Sequence, residues 1–99
     1  MNDTEEIQIF LKNKISEIDC MLTHQTYLKS IEKLDYNDIK YIGTYNYDPE
    51  EGFVYSKDKN IRDIMEKIYT NYDKHSGASM GFTLHWINQM YKEYIRMNI

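Results

Sequence analysis

The segment MGFTLHWINQMYKEYI, from Met80 to Ile95, decides the fold of this chain because its apolar residues recur at steps of three and four. That spacing places them on one face of an α-helix, which has 3.6 residues per turn. So broad an apolar face must be buried against other elements. We predict a final helix from about Ser76 to Met97. Its core-facing residues are Met80, Thr83, Leu84, Ile87, Tyr91, Tyr94 and Ile95.

The opposite side of this helix carries a polar stripe. Its members follow one another at steps of four, three and four residues, and two of them are permanent cations. A stripe of positive charge in an acidic protein favours contact with an anionic group. The stripe consists of His85, Gln89, Lys92 and Arg96.

Four aromatic residues are candidates for an interface. Phe82 and Trp86 lie on a flank of the last helix that a single core face would not cover. Tyr45 and Tyr47 belong to a segment that holds half of the ten tyrosines. Tyrosine offers a large contact area with a polar tip, which favours binding surfaces. The alternative is that these rings seal a thin core, because tyrosine is intermediate in burial.

The heptapeptide HSGASMG, from His75 to Gly81, matches G-x-S-x-G, the nucleophile elbow of serine hydrolases. An elbow needs a strand before the serine, whereas the preceding IRDIMEKIYTNYDK has a helical pattern. The later histidine and acid, His85 and Glu93, would share one helix with Ser79. A straight helix cannot fold back to align the three side chains. We therefore predict no catalytic residues and a protein that is not an enzyme.

The same heptapeptide is typical of a helix start that binds anions. If Ser76 is the cap, the amides of Gly77 and the next two residues have no acceptor within the helix. Together with the positive end of the helix dipole they favour a phosphate or a carboxylate. His75 and Ser79 add side-chain donors. The structural alternative is that Ser76 only caps its own helix and Gly81 allows a neighbouring helix to pack closely.

Helical periodicity also marks residues 3–35 and 61–69, with starts at Asp3-Thr4 and at Asp58 or Asn60. Whether 3–35 is one helix or two stays open. Between Asp35 and Asn60 the period is lost, and 43–56 is either a tyrosine-rich ordered loop, which we favour, or a short hairpin. We predict a mainly α fold: a compact bundle of three to four helices that forms a single domain over residues 1–99.

Composition narrows the class of protein. The net charge of −4 over 99 residues argues against a general nucleic-acid binder. Cys20 is the sole cysteine and the three histidines lack H-x-x-x-H spacing, so we predict no disulfide, metal or cofactor. Neither a signal peptide nor an apolar run of about 20 residues is present. We expect a cytoplasmic protein without membrane contact.

The second half of the chain resembles a family of small, mostly uncharacterised bacteriophage and prophage proteins. The resemblance runs from Asp48-Pro-Glu-Glu-Gly52 through IRDIMEKIYTNYDK to HSGAS. In that family an acidic, glycine-containing loop and a helix precede a G-H-S-G-x-S-type signature that opens a final amphipathic helix. Lys74 stands where the family often has glycine. The resemblance implies a phage origin and an all-helical fold, and it supplies no established activity.

Two functional hypotheses follow. In the first, a phage protein acts against host defence by sequestering an anionic, nucleotide-type ligand at the helix start, helped by a neighbouring subunit in a homo-oligomer. Its candidate ligand-binding residues are His75, Ser76, Gly77, Ser79, His85, Lys92 and Arg96. In the second, the acidic surface rich in tyrosine and tryptophan inhibits a host defence protein in the host cytoplasm.

Overall fold

The computed structural model describes residues 2–19, 21–53, 55–69 and 77–97, with the backbone alone for 22, 23, 69 and 77–80. This part of the chain forms five α-helices around one cluster of buried apolar side chains. The mainly α fold is confirmed, with five helices where three to four were predicted, and the last helix follows its predicted bounds. The helices are α1 Asp3–Ile15, α2 Met21–Glu32, α3 Tyr36–Thr44, α4 Lys59–Tyr69 and α5 Gly77–Met97.

The cap of α1 is Asn2, just before the predicted start at Asp3-Thr4. Its side chain accepts a hydrogen bond from the Glu5 amide at 2.8 Å, which satisfies a donor that a helix start leaves open. The Thr4 hydroxyl instead accepts from the Tyr36 amide at 3.0 Å and so joins the starts of α1 and α3. The apolar face of α1 is buried as its spacing predicted: Ile7, Leu11 and Ile15.

Residues 3–35, which the sequence left as one helix or two, form two. After α1 the chain forms a turn, in which the Ile18 amide donates to the Ile15 carbonyl at 2.9 Å. α2 then returns along α1. The Gln8 side chain donates from Nε2 to the carbonyls of Ile31 at 3.1 Å, in the last turn of α2, and of Leu34 at 2.9 Å, just beyond it. These two hydrogen bonds tie α1 to the end of α2.

Helix α3 was not predicted, because residues 36–44 were assigned to an aperiodic loop. Asp35 caps it: its side chain accepts from the Asp38 amide at 2.9 Å, and the Asp38 side chain accepts in return from the Asp35 amide. This reciprocal arrangement is a capping box. Ile39 and Ile42 are fully buried. Two apolar positions in nine residues are too few for the periodic pattern that reveals a longer helix.

The described residues between α3 and α4, 45–53 and 55–58, form no strand, so the preferred prediction of an ordered loop is confirmed over the hairpin. The loop turns at Asp48, whose side chain accepts from the Glu50 amide at 2.9 Å. Gly52 has a φ of 69° there, which favours glycine. Phe53, 1% exposed, anchors the loop in the core.

Asp58 caps α4, as one of the two sequence alternatives predicted. Its carboxylate accepts from the Ile61 amide at 3.0 Å and from the Tyr41 hydroxyl at 2.9 Å. The hydrogen bond from Ile61 lowers the pKa of Asp58, burial opposes this, and the Tyr41 hydroxyl adds to the lowering. The apolar stripe of α4 is buried as expected: Ile61, Ile64, Met65 and Ile68.

The contact between α3 and α5 is the most extensive helix pairing in the described part of the chain. Gly43 is buried there, and any side chain at this position would overlap the ring of Tyr91. Asn88 of α5 is fully buried and donates from its amide to the carbonyls of Ile42 at 2.8 Å and Tyr45 at 3.3 Å. One polar side chain in the core thereby satisfies two carbonyls at the end of α3.

The core face of α5 agrees with the helical-wheel prediction over its middle turns. Thr83, Leu84 and Ile87 are fully buried and Tyr91 is 5% exposed. The prediction is wrong for Ile95, which is 38% exposed because the helix runs past the core near its end. Among the described residues, no helix is both long enough and apolar enough to cross a membrane.

Replacing Gly43 with alanine should lower the free energy of unfolding by about 1–3 kcal/mol, because the new methyl group overlaps a buried ring. Urea unfolding followed by circular dichroism measures the change. Thr44→Ala, at the next and exposed position, is the control and should change the free energy by less than about 0.5 kcal/mol. A gain in stability at Gly43, as helix propensity alone would give, would contradict the close contact.

The stability of the protein should fall as the pH rises above about 10. Burial, assisted by a hydrogen bond with Tyr36, raises the pKa of Tyr91 to about 12. The unfolded phenol titrates near pH ~10. Between these values the folded state holds a proton that the unfolded state has lost, so the free energy of unfolding declines with pH.

Tyr91→Phe should reduce this decline, measured as the difference in unfolding free energy between about pH 8 and about pH 11. Tyr55→Phe removes a phenol that is 69% exposed and should keep the wild-type difference. Equal declines in the wild type and in Tyr91→Phe would show that the buried phenol is not responsible.

Candidate functional site

The predicted anion site lies at the start of α5. His75 and Ser76 fall outside the described residues, whereas Gly77 is the first residue of the helix and Ser79 lies in its first turn. Amides in the first turn of any helix have no intrahelical acceptor. The site therefore stays a prediction that rests on the backbone position of Gly77 and on the sequence.

The predicted polar stripe is present as one exposed face of α5. Lys92 and Arg96 form no ion pair with any residue the structure describes. The ring of His85 is tied at one edge, because its Nδ1 is hydrogen-bonded to the hydroxyl of Tyr47. Two cations are thus available to an anionic partner. The exposed members are His85, Gln89, Lys92 and Arg96.

One helix does not bring the predicted ligand-binding residues together. α5 continues unbroken from Gly77 to Met97. At 1.5 Å per residue, Lys92 lies roughly 22 Å along the axis from Gly77. A mononucleotide is shorter than this separation. The cations of α5 can approach a ligand at the start of α5 only if they come from a neighbouring subunit.

Three of the four predicted interface residues have partners inside the protein. Tyr45 is half-buried, and its hydroxyl is 2.7 Å from the Ser56 hydroxyl. The ring of Tyr47 packs on Phe53 with centroids 4.4 Å apart. Trp86 packs against Tyr27 of α2, at 5.0 Å between centroids. These aromatic side chains seal the edge of the core, as the alternative interpretation held.

Phe82 differs from the other three aromatic residues. Its side chain is 67% exposed on α5. An isolated exposed phenylalanine is common on protein surfaces and needs no partner. Its position in line with Gln89 and Arg96 places an exposed aromatic ring at the N-terminal end of the polar stripe.

A cavity of about 390 Å³ lies where the loop meets α4. We name it the basic cavity. Three cations line it, opposed by two carboxylates, so the lining has an excess of one positive charge. Met65, 7% exposed, adds apolar surface beneath the charged side chains. The residues around it are Lys57, Lys59, Arg62, Asp63, Met65 and Glu66.

The ion pair within the basic cavity is weak. Lys59 and Asp63 are 3.7 Å apart, with 89% and 54% of their side chains exposed. Exposed pairs of this kind contribute little stability because water screens them. An incoming anion can therefore recruit Lys59 at a small cost.

The opposite wall of the basic cavity is held in place. Arg62 donates from Nη1 to the Ser56 carbonyl at 3.1 Å, and the Ser56 hydroxyl accepts from the Asp58 amide at 3.2 Å. Lys57 lies between these two fixed residues. A cation on an ordered loop loses less conformational entropy when it binds a ligand.

Sequence reasoning missed the basic cavity. Lys57, Lys59 and Arg62 are spread over a loop and the first turns of a helix, and acidic residues interrupt them. No regular spacing marks these cations, so the charge pattern alone did not reveal the cavity.

The histidines whose side chains are described are bonded within the protein. His24 Nε2 contacts the Ile18 carbonyl, and His85 Nδ1 contacts Tyr47. Over the described ranges, no group of three histidine, cysteine, aspartate or glutamate side chains is arranged to hold a metal ion.

Tyr47 and Tyr55 provide a matched test of whether the loop tyrosines are structural. Tyr47→Ala should lower the free energy of unfolding by about 2 kcal/mol, because it removes a half-buried ring packed on Phe53. Tyr55→Ala, from the same loop but 69% exposed, should change it by less than about 0.5 kcal/mol. Equal and small effects in chemical unfolding would show that Tyr47 does not support the fold.

No protein-family model, curated protein or solved structure matches this chain at a significant level. The resemblance to the phage and prophage family therefore stays a prediction from the residues between Asp48 and Ser79. The choice between candidate functions depends on the geometry of the chain itself.

Proposed function

We propose that this chain is a non-enzymatic binding protein that sequesters an anionic, nucleotide-type ligand. As a phage-type protein it would act against host defence in the cytoplasm of the host cell, where signalling nucleotides are found. The phage origin is supported by the HSGAS signature and the DPEEG turn. The ligand class is supported by the distribution of positive charge.

The observation that carries the proposal is the basic cavity. Its volume of about 390 Å³ lies within the ~300–1,000 Å³ range of small-molecule sites. Three cations converge on it in a chain whose net charge is −4. Lys57 and Arg62 suit phosphate oxygens, since arginine presents a fork of donors and lysine a point charge. Met65 offers apolar surface for a ring.

The start of α5 is the other position for the ligand. Gly77 leaves room for close approach to the first-turn amides, and His75 and Ser79 supply side-chain donors. The two positions make different predictions, because separate residues would control binding at each. Either one fits a small anion better than a long nucleic acid, which the negative charge of the chain would repel.

Nucleotide binding should raise the thermal stability of the protein. We would measure the melting temperature against a panel of mono-, di- and cyclic nucleotides. A ligand present at 100 times its dissociation constant stabilises the folded state by about 2.7 kcal/mol. If no nucleotide shifts the melting temperature at millimolar concentration, the proposed function is wrong.

Two pairs of variants would locate the bound nucleotide. If the nucleotide occupies the basic cavity, the double variant Lys57→Ala with Lys59→Ala should weaken binding. If the nucleotide occupies the start of α5, the double variant His75→Ala with Ser79→Ala should weaken it. Lys12→Ala removes an exposed cation from α1 and is the matched control. Normal binding by both pairs would exclude both positions.

A second candidate is a protein–protein inhibitor, favoured by the 67% exposure of Phe82. The acidic surface would imitate nucleic acid and Phe82 would anchor the contact. This candidate predicts no nucleotide-induced stabilisation. It also predicts inhibition of a purified defence nuclease by the wild type and its loss in Phe82→Ala.

A further inference from the structure

The exposed face of α5 has two unlike ends. Five exposed residues of this helix are called the α5 face: Phe82, His85, Gln89, Lys92 and Arg96. Its N-terminal end carries an aromatic ring, and its C-terminal end carries two cations. Phe82, Gln89 and Arg96 are seven residues apart, so they form a line that drifts only ~20° per step. The line spans roughly 21 Å along the axis.

We infer that the α5 face pairs with the same face of a second copy of this chain, antiparallel, with Gln89 at the two-fold axis. A two-fold interface is self-complementary, since each contact occurs twice with the roles exchanged. Here Phe82 lies opposite the partner's Arg96, and Arg96 lies opposite the partner's Phe82. Each is a cation–π contact. Gln89 meets the partner's Gln89, and its amide can both donate and accept.

The opposite orientation is unfavourable. Parallel pairing would place Lys92 and Arg96 beside the same cations of the second copy. It would also align the two helix dipoles, whereas antiparallel pairing opposes them. The distribution of charge along the α5 face therefore disfavours the parallel orientation more than the antiparallel one.

A second copy satisfies both ends of the α5 face. A foreign acidic partner would match Lys92 and Arg96 and leave the aromatic end uncovered. Within the described part of the chain these cations form no ion pair that would compete. The face is also bordered by fixed contacts: Tyr47 holds His85, and Lys14 forms a 2.7 Å salt bridge with Glu93.

The dimer should be weak. One helix face from each copy buries less than the ~800 Å² per partner of a standard interface. Much of that area is polar, and side-chain ordering opposes association. We expect a dissociation constant of roughly 10–100 micromolar.

The pairing does not depend on any ligand, but it affects the predicted site at the start of α5. Arg96 lies roughly 28 Å from Gly77 along its own helix. The partner's Arg96, opposite Phe82, lies only about 8 Å from Gly77 along the axis. The second copy thus supplies a cation that the helix itself cannot bring to its own start.

Sedimentation equilibrium of the full chain, over roughly 5–500 micromolar, measures the self-association. The wild type should fit a monomer–dimer equilibrium. Phe82→Arg places arginine opposite arginine twice and should weaken the dimer at least tenfold. A wild type that is monomeric throughout, or a Phe82→Arg variant that dimerises normally, overturns the inference.

An exchange of the two residues tests the register. The double variant Phe82→Arg with Arg96→Phe restores an arginine opposite a phenylalanine and should return the dissociation constant to within about threefold of wild type. The control, Phe82→Arg with Lys92→Phe, has the same kind of double change but moves the ring one turn away, and it should stay monomeric. Failure of the exchange, or equal rescue by the control, overturns the antiparallel register.

All three positions are exposed, so the variants should retain the circular dichroism spectrum and melting temperature of the wild type. These measurements use dilute protein, at which the dimer is absent. The nucleotide panel reports separately on the proposed function, since dimerisation is measured without nucleotide.

Discussion

The fold depends on how closely α5 approaches α3. Gly43 has no side chain, so the ring of Tyr91 lies directly against the backbone of α3. At the same crossing Asn88 carries a buried amide to the carbonyls of Ile42 and Tyr45. The first contact sets the distance between the helices and the second sets their register, because a shifted helix would bury unpaired polar groups. The loop contacts α5 through Tyr47 and His85, and α4 packs against α3.

The sequence predicts the long helices well and the short one poorly. α1, α4 and α5 repeat apolar residues over several turns, which a local pattern reveals. α3 is defined by its Asp35 cap and by tertiary contacts at Gly43, and a periodicity search detects neither. Asn88 shows the same limit: on a helical wheel it is a polar residue near the core, and only its partners explain its burial. Local reasoning fails where one helix depends on another.

The same limit applies to the candidate site: features of one helix were predictable, and features that depend on tertiary contacts were not. The exposed stripe on α5 was predictable because it depends on the geometry of one helix. The internal packing of Tyr45 and Tyr47 was not predictable, because it depends on how the loop folds back on Phe53 and on the contact of Tyr47 with His85 of α5. The basic cavity arises where a loop meets a helix, so its cations are not arranged in any regular period. The separation of Gly77 from the cations of α5 follows from helix length alone.

The hydrogen bonds around Tyr45 link the two surfaces that carry the proposals. Arg62, in the wall of the basic cavity, donates to the backbone of Ser56. The Ser56 hydroxyl bonds to Tyr45, whose carbonyl accepts from Asn88 in α5. Four residues thus form a continuous hydrogen-bonded chain from the cavity wall to the buried side of α5. A ligand that drew the guanidinium away from Ser56 would break the first hydrogen bond of this chain, so occupation of the cavity and the buried contacts of α5 share a network.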